Sequence, residues 1–318
     1  MKIWDKSVLY NILHAYANWG TRWSFRRFKV EGRENVPTEG PVILACNHCN
    51  SLMDAMVVLR VNRNLTAFGA RADIFRNKKI AKVLTFLRIV PLARQRDSIR
   101  EMKENLHTFD EIVECIGRGV NFTIYVEGTH RAERGMMPVK RGIFRICDIA
   151  REKLGEEVTI VPVGLAYEEF FEYMKDITVR YGKPFKLSEL PEGPKAEQLQ
   201  QKILELIGDY PVNRRDPIWI RIPLSLLSLP LFAAAGLLCF PVLIAEAAIG
   251  GRLKDKAWLN TVKLVCKILF LPLLVIAWGV AAFILLPWWG ALLLLAGLLW
   301  SHSLWHLLLN YYKPIFSK

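Results

Sequence analysis

Pro41-Val42-Ile43-Leu44-Ala45-Cys46, followed directly by Asn47-His48-Cys49-Asn50-Ser51-Leu52-Met53-Asp54, sets the reading of this chain. The first six residues are a short apolar run of strand length, and the next four are polar loop formers. Ser51-Leu52-Met53-Asp54 then has the form of a capping box, which opens a helix. Strand, loop and helix in so short a span are one unit of a layered α/β domain.

Outward from that unit the pattern repeats. Strand-like runs fall at Leu65 to Ala70, Ile89 to Leu92, Phe122 to Val126, Val158 to Ala166 and Ile177 to Tyr181. A helix follows Asp97 and Ser98, with apolar positions Ile99, Met102, Leu106, Phe109, Val113 and Ile116 at steps of three and four. A final helix is expected around Ala196 to Ile207, after a Pro- and Glu-rich loop. The expected fold is α/β, with a mixed central sheet flanked by helices over 31–215 and a helical membrane region after it.

The composition changes sharply near Asp216. From Ile218 onward the chain is mostly Leu, Ala, Val, Ile, Phe and Trp, which reads as a membrane region over 216–318. Its first run, 218–249, is interrupted by Pro223, Pro230, Gly236 and Pro241, and fits either an oblique span or a re-entrant segment. A basic loop over 250–267 and a helical hairpin over 268–309 follow, with Pro287-Trp288-Trp289-Gly290 at the hairpin tip. If the catalytic domain, the basic loop and the closing lysines share the cytoplasmic face, the first run is re-entrant and two spans follow. Residues 1–30 place Trp4, Val8, Leu9, Ile12, Leu13, Tyr16, Trp19 and Trp23 at helical spacing ahead of Arg22, Arg26, Arg27 and Lys29. Two readings stand for this helix: one lying in the membrane interface, and one packed on the soluble domain. It lacks the apolar core and cleavage site of a signal peptide.

The formal net charge is +13, and with an apolar tail attached it points to lipid headgroups and phosphates. No nucleic-acid reading module is present. The six cysteines show no paired spacing, and buried free thiols in a reducing compartment are the expectation. Cys46, His48 and Cys49 are too crowded for a zinc site, so no metal is expected.

A hydroxyl becomes a useful nucleophile when a base takes its proton, and histidine is suited to that near neutral pH. His48 is the candidate base, and Asp54 is the carboxylate that fixes its tautomer. Six residues apart on one helix they would diverge by about 120°. The pair therefore requires His48 in the loop and Asp54 in the first helical turn. Asp54 as a plain helix cap and His48 as a plain loop residue is the other reading. Further polar groups sit at later strand ends. Tyr125-Val126-Glu127-Gly128-Thr129-His130-Arg131 offers donors to a phosphate, and Pro138-Val139-Lys140-Arg141-Gly142 opens a helix with a base beside it. Pro91-Leu92-Ala93-Arg94-Gln95-Arg96 supplies two arginines, which are either a phosphate clamp or a solvated pair.

The order of these blocks, closed by Val161-Pro162-Val163-Gly164, resembles that of the glycerolipid acyltransferase family from about Gly40 to Tyr181. The resemblance implies transfer of a fatty acyl chain from acyl carrier protein or coenzyme A to glycerol-3-phosphate or lysophosphatidic acid, with the thioester as co-substrate and no cofactor. It implies His48 as base and Asp54 as orienter. Asn47, Ser51, Arg94, Arg96, Glu127, Gly128, Thr129, Arg131 and Lys140 would lie on the acceptor side, and Val161, Pro162 and Val163 at the acyl pocket. Three departures stand out. Five residues separate His48 from Asp54 where the usual block has four, as in a variant associated with glycerol-3-phosphate acylation. His130 stands in the place of an arginine, and Arg88 in that of a glycine. Acylation of another lysophospholipid or an aminolipid precursor, and a non-catalytic lipid-binding protein on this fold, are the alternatives.

Overall fold

The structure is a computed structural model that describes residues 3–5, 7–62, 65–92, 99–212 and 216–316, with the side chains of all but 99–107 and 314–316. Helix α1 (Val8–Arg22) leads into strand β1 (Phe28–Glu31) and then β2 (Val42–Cys46). Helix α2 (Leu52–Val61), β3 (Thr66–Arg71), α3 (Lys78–Phe86), β4 (Ile89–Leu92), α4 (Ile99–Gly117) and β5 (Asn121–Tyr125) follow. The domain closes with α5 (Gly142–Leu154), β6 (Thr159–Tyr167), β7 (Ile177–Tyr181) and α6 (Lys195–Ile207). Among the described residues seven strands form one sheet in the order β1-β7-β6-β2-β5-β3-β4, parallel throughout except where β6 meets β7. This is the mixed, helix-flanked sheet that the alternating pattern implies.

β2 is the central strand, and every one of its residues is buried. Its neighbours β5 and β6 run parallel to it, so the ends of β2 and β5 lie side by side, with Cys46 opposite Tyr125. Loops after adjacent parallel strands meet at the carboxyl edge of the sheet, where α/β domains build their sites. One core cluster lies under α4, α5 and α6, around Phe122, Ile143 and Ile203. The other lies under α2 and also takes in Leu264 from the apolar tail.

Two features were not read from the sequence. β1 is a half-exposed edge strand paired with β7, across the boundary between the expected N-terminal helix over 1–30 and the α/β domain from 31. Arg88 has φ +62, a left-handed conformation that suits glycine, the usual residue at that place. Its guanidinium lies over the Tyr10 ring and donates to the carbonyls of Ile3 at 2.9 Å and Asp5 at 3.0 Å. Those bonds tie the start of the chain to the sheet in return for the strained backbone.

The apolar tail folds into three helices, each long and apolar enough to cross a membrane. They are α7 (Ile218–Gly250), α8 (Leu259–Leu285) and α9 (Trp288–Phe316). α7 runs unbroken through Pro223, Pro230 and Pro241. α8 begins at Leu259, within the stretch expected to be loop, because its first turns already pack on the catalytic domain. Asn260 Nδ2 donates to the Phe170 carbonyl at 2.8 Å, and Leu264 is buried in the domain core. α9 continues past 309, and Asn310 Nδ2 donates to the Tyr173 carbonyl.

Candidate active site

His48 sits in the loop after β2 and Asp54 in the first turn of α2, as the spacing argument requires. His48 Nδ1 lies 2.7 Å from Asp54 Oδ2. The same oxygen accepts the backbone N–H groups of Cys49 at 2.8 Å and Asn50 at 2.7 Å. Asp54 Oδ1 accepts the Tyr167 hydroxyl at 2.7 Å. The carboxylate is fully buried, so these four donors stand in for water. An ionised carboxylate here favours N–H at Nδ1, leaving Nε2 as the basic nitrogen.

The capping-box expectation is corrected in detail. Ser51 occupies the cap position, but its side chain makes no cap hydrogen bond, and its buried hydroxyl is without a partner. Its backbone takes φ +47, a strained turn for a residue with a Cβ. Asp54 therefore caps the loop rather than the helix, binding the N–H groups ahead of Ser51. The two competing roles of Asp54, backbone and imidazole, are both met by one oxygen.

Glu127 sits beside the loop as a staple. Its Oε1 accepts the N–H of His48 and its Oε2 that of Met137, each at 2.6 Å, and the side chain is buried. Burial pushes its carboxyl above the usual glutamate value, against the pull of those two N–H groups and of His48. Tyr125 stacks on the His48 ring at 4.2 Å between centroids. Asn47 spends both ends of its amide on Leu165 of β6, donating to the carbonyl at 3.1 Å and accepting the N–H at 2.7 Å.

Of the remaining expected residues, Gly128 has φ +67 and lies next to Lys140, whose Cγ an added Cβ would approach to 3.4 Å. Lys140 is exposed, and its N–H donates to the Val126 carbonyl. Thr129 is half-buried between Gly128 and His130. Arg131 reaches the loop by its backbone, donating to the His48 carbonyl at 3.2 Å, while its guanidinium pairs with Glu133 at 3.3 Å. Val161, Pro162 and Val163 are buried in β6 opposite Leu44, Ala45 and Cys46. Arg94 and Arg96 lie outside the described residues, as do Asp97 and Ser98.

All six thiols are free and buried. Burial, and then the Asp54 charge, push the Cys49 thiol well above its usual value, which opposes a thiolate nucleophile there. Among the described residues one group has metal-ligand composition: Glu246, His302 and His306, with donor atoms within 4.8 Å of one another. It lies between α7 and α9 and closes on itself. One Glu246 oxygen bonds His302 Nε2, and the other meets His306 Nε2 at 3.0 Å. Both carboxylate oxygens of Glu246 are thus taken up by the two imidazoles. Tyr173 of the catalytic domain stands edge-on to both rings, making the cluster a clasp between domain and helices.

The site also brings His130, named in the sequence only as a departure from the motif, together with two residues of the α7–α8 loop that no motif flagged. His130 stands edge-on to His48 at 5.4 Å, and its Nε2 lies 2.7 Å from Asp255 Oδ2 in the loop between α7 and α8. Trp258, from the same loop, is edge-on to His130 at 6.0 Å. A lone acid between Lys254 and Lys256 was the available signal in the sequence.

Comparison with known proteins agrees with the sheet and the domain type. Residues 27–166 match the family model of the acyltransferase domain. No curated protein sequence matches the chain. Among solved structures, the crystal structure of the 1-acyl-sn-glycerophosphate (LPA) acyltransferase PlsC from Thermotoga maritima is similar at a TM-score of 0.50 and 18% identity. The match covers 64% of this chain and 82% of that one, and at such identity it bears on the fold alone.

Proposed function

We propose that this chain, whose residues 27–166 match the acyltransferase family model, is a glycerolipid acyltransferase that moves a fatty acyl group from a thioester to the hydroxyl of glycerol-3-phosphate or 1-acyl-glycerol-3-phosphate. The observation that carries this reading is the His48–Asp54 pair at the carboxyl edge of β2, with Nε2 left as base. In the reaction His48 Nε2 takes the proton of the acceptor hydroxyl as its oxygen attacks the thioester carbonyl. The imidazolium that forms is stabilised by buried Asp54. Collapse of the tetrahedral oxyanion expels the thiolate, which takes the proton back from His48. A thioester is already activated, so a base and positioning suffice. Lys140 and Arg131, next to Gly128 and Thr129, are the described cationic groups at the phosphate side, and Arg94 and Arg96 are proposed to join them. Acyl carrier protein and coenzyme A are both suitable donors.

The catalytic domain is proposed to face the cytoplasm. Arg252, Lys254 and Lys256 in the α7–α8 loop, and Lys313 at the end of α9, lie on the catalytic-domain side of the apolar helices, the side that basic loops favour.

The test is acyl transfer by the purified protein in detergent, with acyl carrier protein and coenzyme A thioesters against glycerol-3-phosphate, lysophosphatidic acid and lysophospholipids. Acylation of a phosphate monoester that is lost in His48→Ala is expected. An equally active variant, or acylation of lysophospholipids alone, overturns the reading.

A further inference from the structure

The loop joining α7 to α8 leaves the apolar helices and returns over the motifs of the catalytic domain. Its Asp255 is held in place from both sides. Oδ1 accepts the Ala257 N–H at 2.9 Å, which caps a short turn over Lys256–Trp258, and Oδ2 meets His130 Nε2 at 2.7 Å. His130 in turn stands against the His48 ring, with Trp258 on it from outside. One line of contacts thus runs from the membrane region to the proposed base.

We propose that His130, Asp255 and Trp258 form a subsite beside His48 that accepts a hydroxyl of the acyl acceptor adjacent to the one being acylated. The inference rests on His48 being the base. Its argument is one of charge and tautomer. In the motif this chain resembles, the position holds an arginine, a permanent cation with donors only. Here it holds an imidazole whose Nε2 faces a carboxylate. Asp255 is partly desolvated, yet the bonds from His130 and the Ala257 N–H hold its carboxyl below the usual aspartate value, so it is ionised at neutral pH. A carboxylate at Nε2 fixes the proton there and leaves a lone pair at Nδ1. Asp255 is the residue that bonds the His130 ring among those described, so Nδ1 is available to a ligand.

The proposal takes His130 with its one proton at Nε2, facing Asp255, since a second charge against His48 would oppose the one that His48 gains. A neutral acceptor nitrogen beside a carboxylate repels a phosphate and takes a hydroxyl. The phosphate is left to the cations beyond Gly128. Trp258 adds an apolar wall beside the His130 ring. The ligand class that follows is a phosphate-bearing diol rather than a mono-ol.

The experiment uses full-length protein and two acceptors, glycerol-3-phosphate and 3-hydroxypropyl phosphate, which keeps the phosphate and one hydroxyl. Wild type is compared with His130→Ala, Asp255→Asn and the double variant. Asn retains an oxygen for the Ala257 N–H, so the turn is preserved. A site that hydrogen-bonds a substrate hydroxyl rejects the analogue lacking it. Wild type should favour the diol by about tenfold or more in kcat/KM. The preference should fall to within about twofold in each single variant and no further in the double, since the two act as one unit. The KM for the thioester and the melting temperature should hold. A wild-type ratio near one, a ratio that survives either substitution, or lysophosphatidic acid as the sole acceptor overturns the subsite and leaves the acyltransferase reading standing. Acylation of none of these acceptors by wild type overturns both.

Discussion

Asp54 receives its four hydrogen bonds from three different places: the loop it follows, the imidazole, and Tyr167 on β6. The Tyr167 hydroxyl is itself buried, and burial pushes it well above its usual pKa, so it acts as a donor and stays protonated. Tyr167→Phe removes one donor from a buried carboxylate, a loss of about 1.5–3 kcal/mol. It should lower kcat about tenfold or more, with little change in the acceptor KM, as read by steady-state kinetics. Glu127 supports a pH prediction. Its raised pKa means that the folded protein binds a proton at a higher pH than the unfolded chain does. Stability from this group therefore rises as pH falls through the raised value toward the ordinary glutamate value. The protonated carboxyl serves one N–H less well, so activity should decline in that same window while the melting temperature does not. Glu127→Gln should be less active but flat there, and a parallel fall of activity and melting temperature in wild type would contradict this account. The His48–Asp54 contact was legible because its two residue types and the loop-helix boundary sit within one short stretch. The Tyr167 bond and the Asp255 contact join distant parts of the chain, and single-sequence spacing carries no record of them.

Strands buried on both faces read as plain apolar runs, and for that reason β2, β5, β6 and β7 were visible in the sequence; β3 and β4, partly exposed, still carry enough apolar residues to read the same way. β1 was not visible, since Phe28-Lys29-Val30-Glu31 is an edge strand with polar residues turned to solvent. Gly164 illustrates how a motif position can have a packing role. It closes the fourth block of the resemblance, yet an added Cβ would lie 2.7 Å from the backbone of Leu206 and Ile207. The close approach of β6 and α6 depends on it. Gly164→Ala should cost about 1–3 kcal/mol through overpacking. Thermal unfolding is the check, and the acceptor KM of the surviving fold should stay unchanged.

The catalytic domain and the apolar helices share buried polar contacts, so neither is a freestanding part. Lys267 on α8 is wholly buried, and its Nζ donates to the carbonyls of Gly20 at 2.8 Å and Trp23 at 3.1 Å, at the end of α1. An amine at a helix C-terminus satisfies carbonyls the helix leaves open. Lys267→Met should strip that cap and lower the melting temperature in detergent, at about 1–3 kcal/mol for buried carbonyls left without a donor. Unchanged melting would show that the cap is dispensable. Phe170 adds a second tie, because its carbonyl accepts Asn260 Nδ2 from α8 at 2.8 Å and Asn50 Nδ2 from the motif loop at 3.5 Å. The pairing of β1 with β7 has a consequence in time. Phe28 is matched with Ile177, so the first strand made waits for about 150 further residues before its partner exists. At about 5–20 residues per second, a ribosome takes about 7–30 s to supply them. Through that interval α1, with Val8, Leu9 and Ile12 exposed even in the finished protein, has no sheet to rest on. Its apolar side is then open to lipid, so ribosome-bound chains that end before Ile177 are expected to float with liposomes, and chains that stay behind would contradict this.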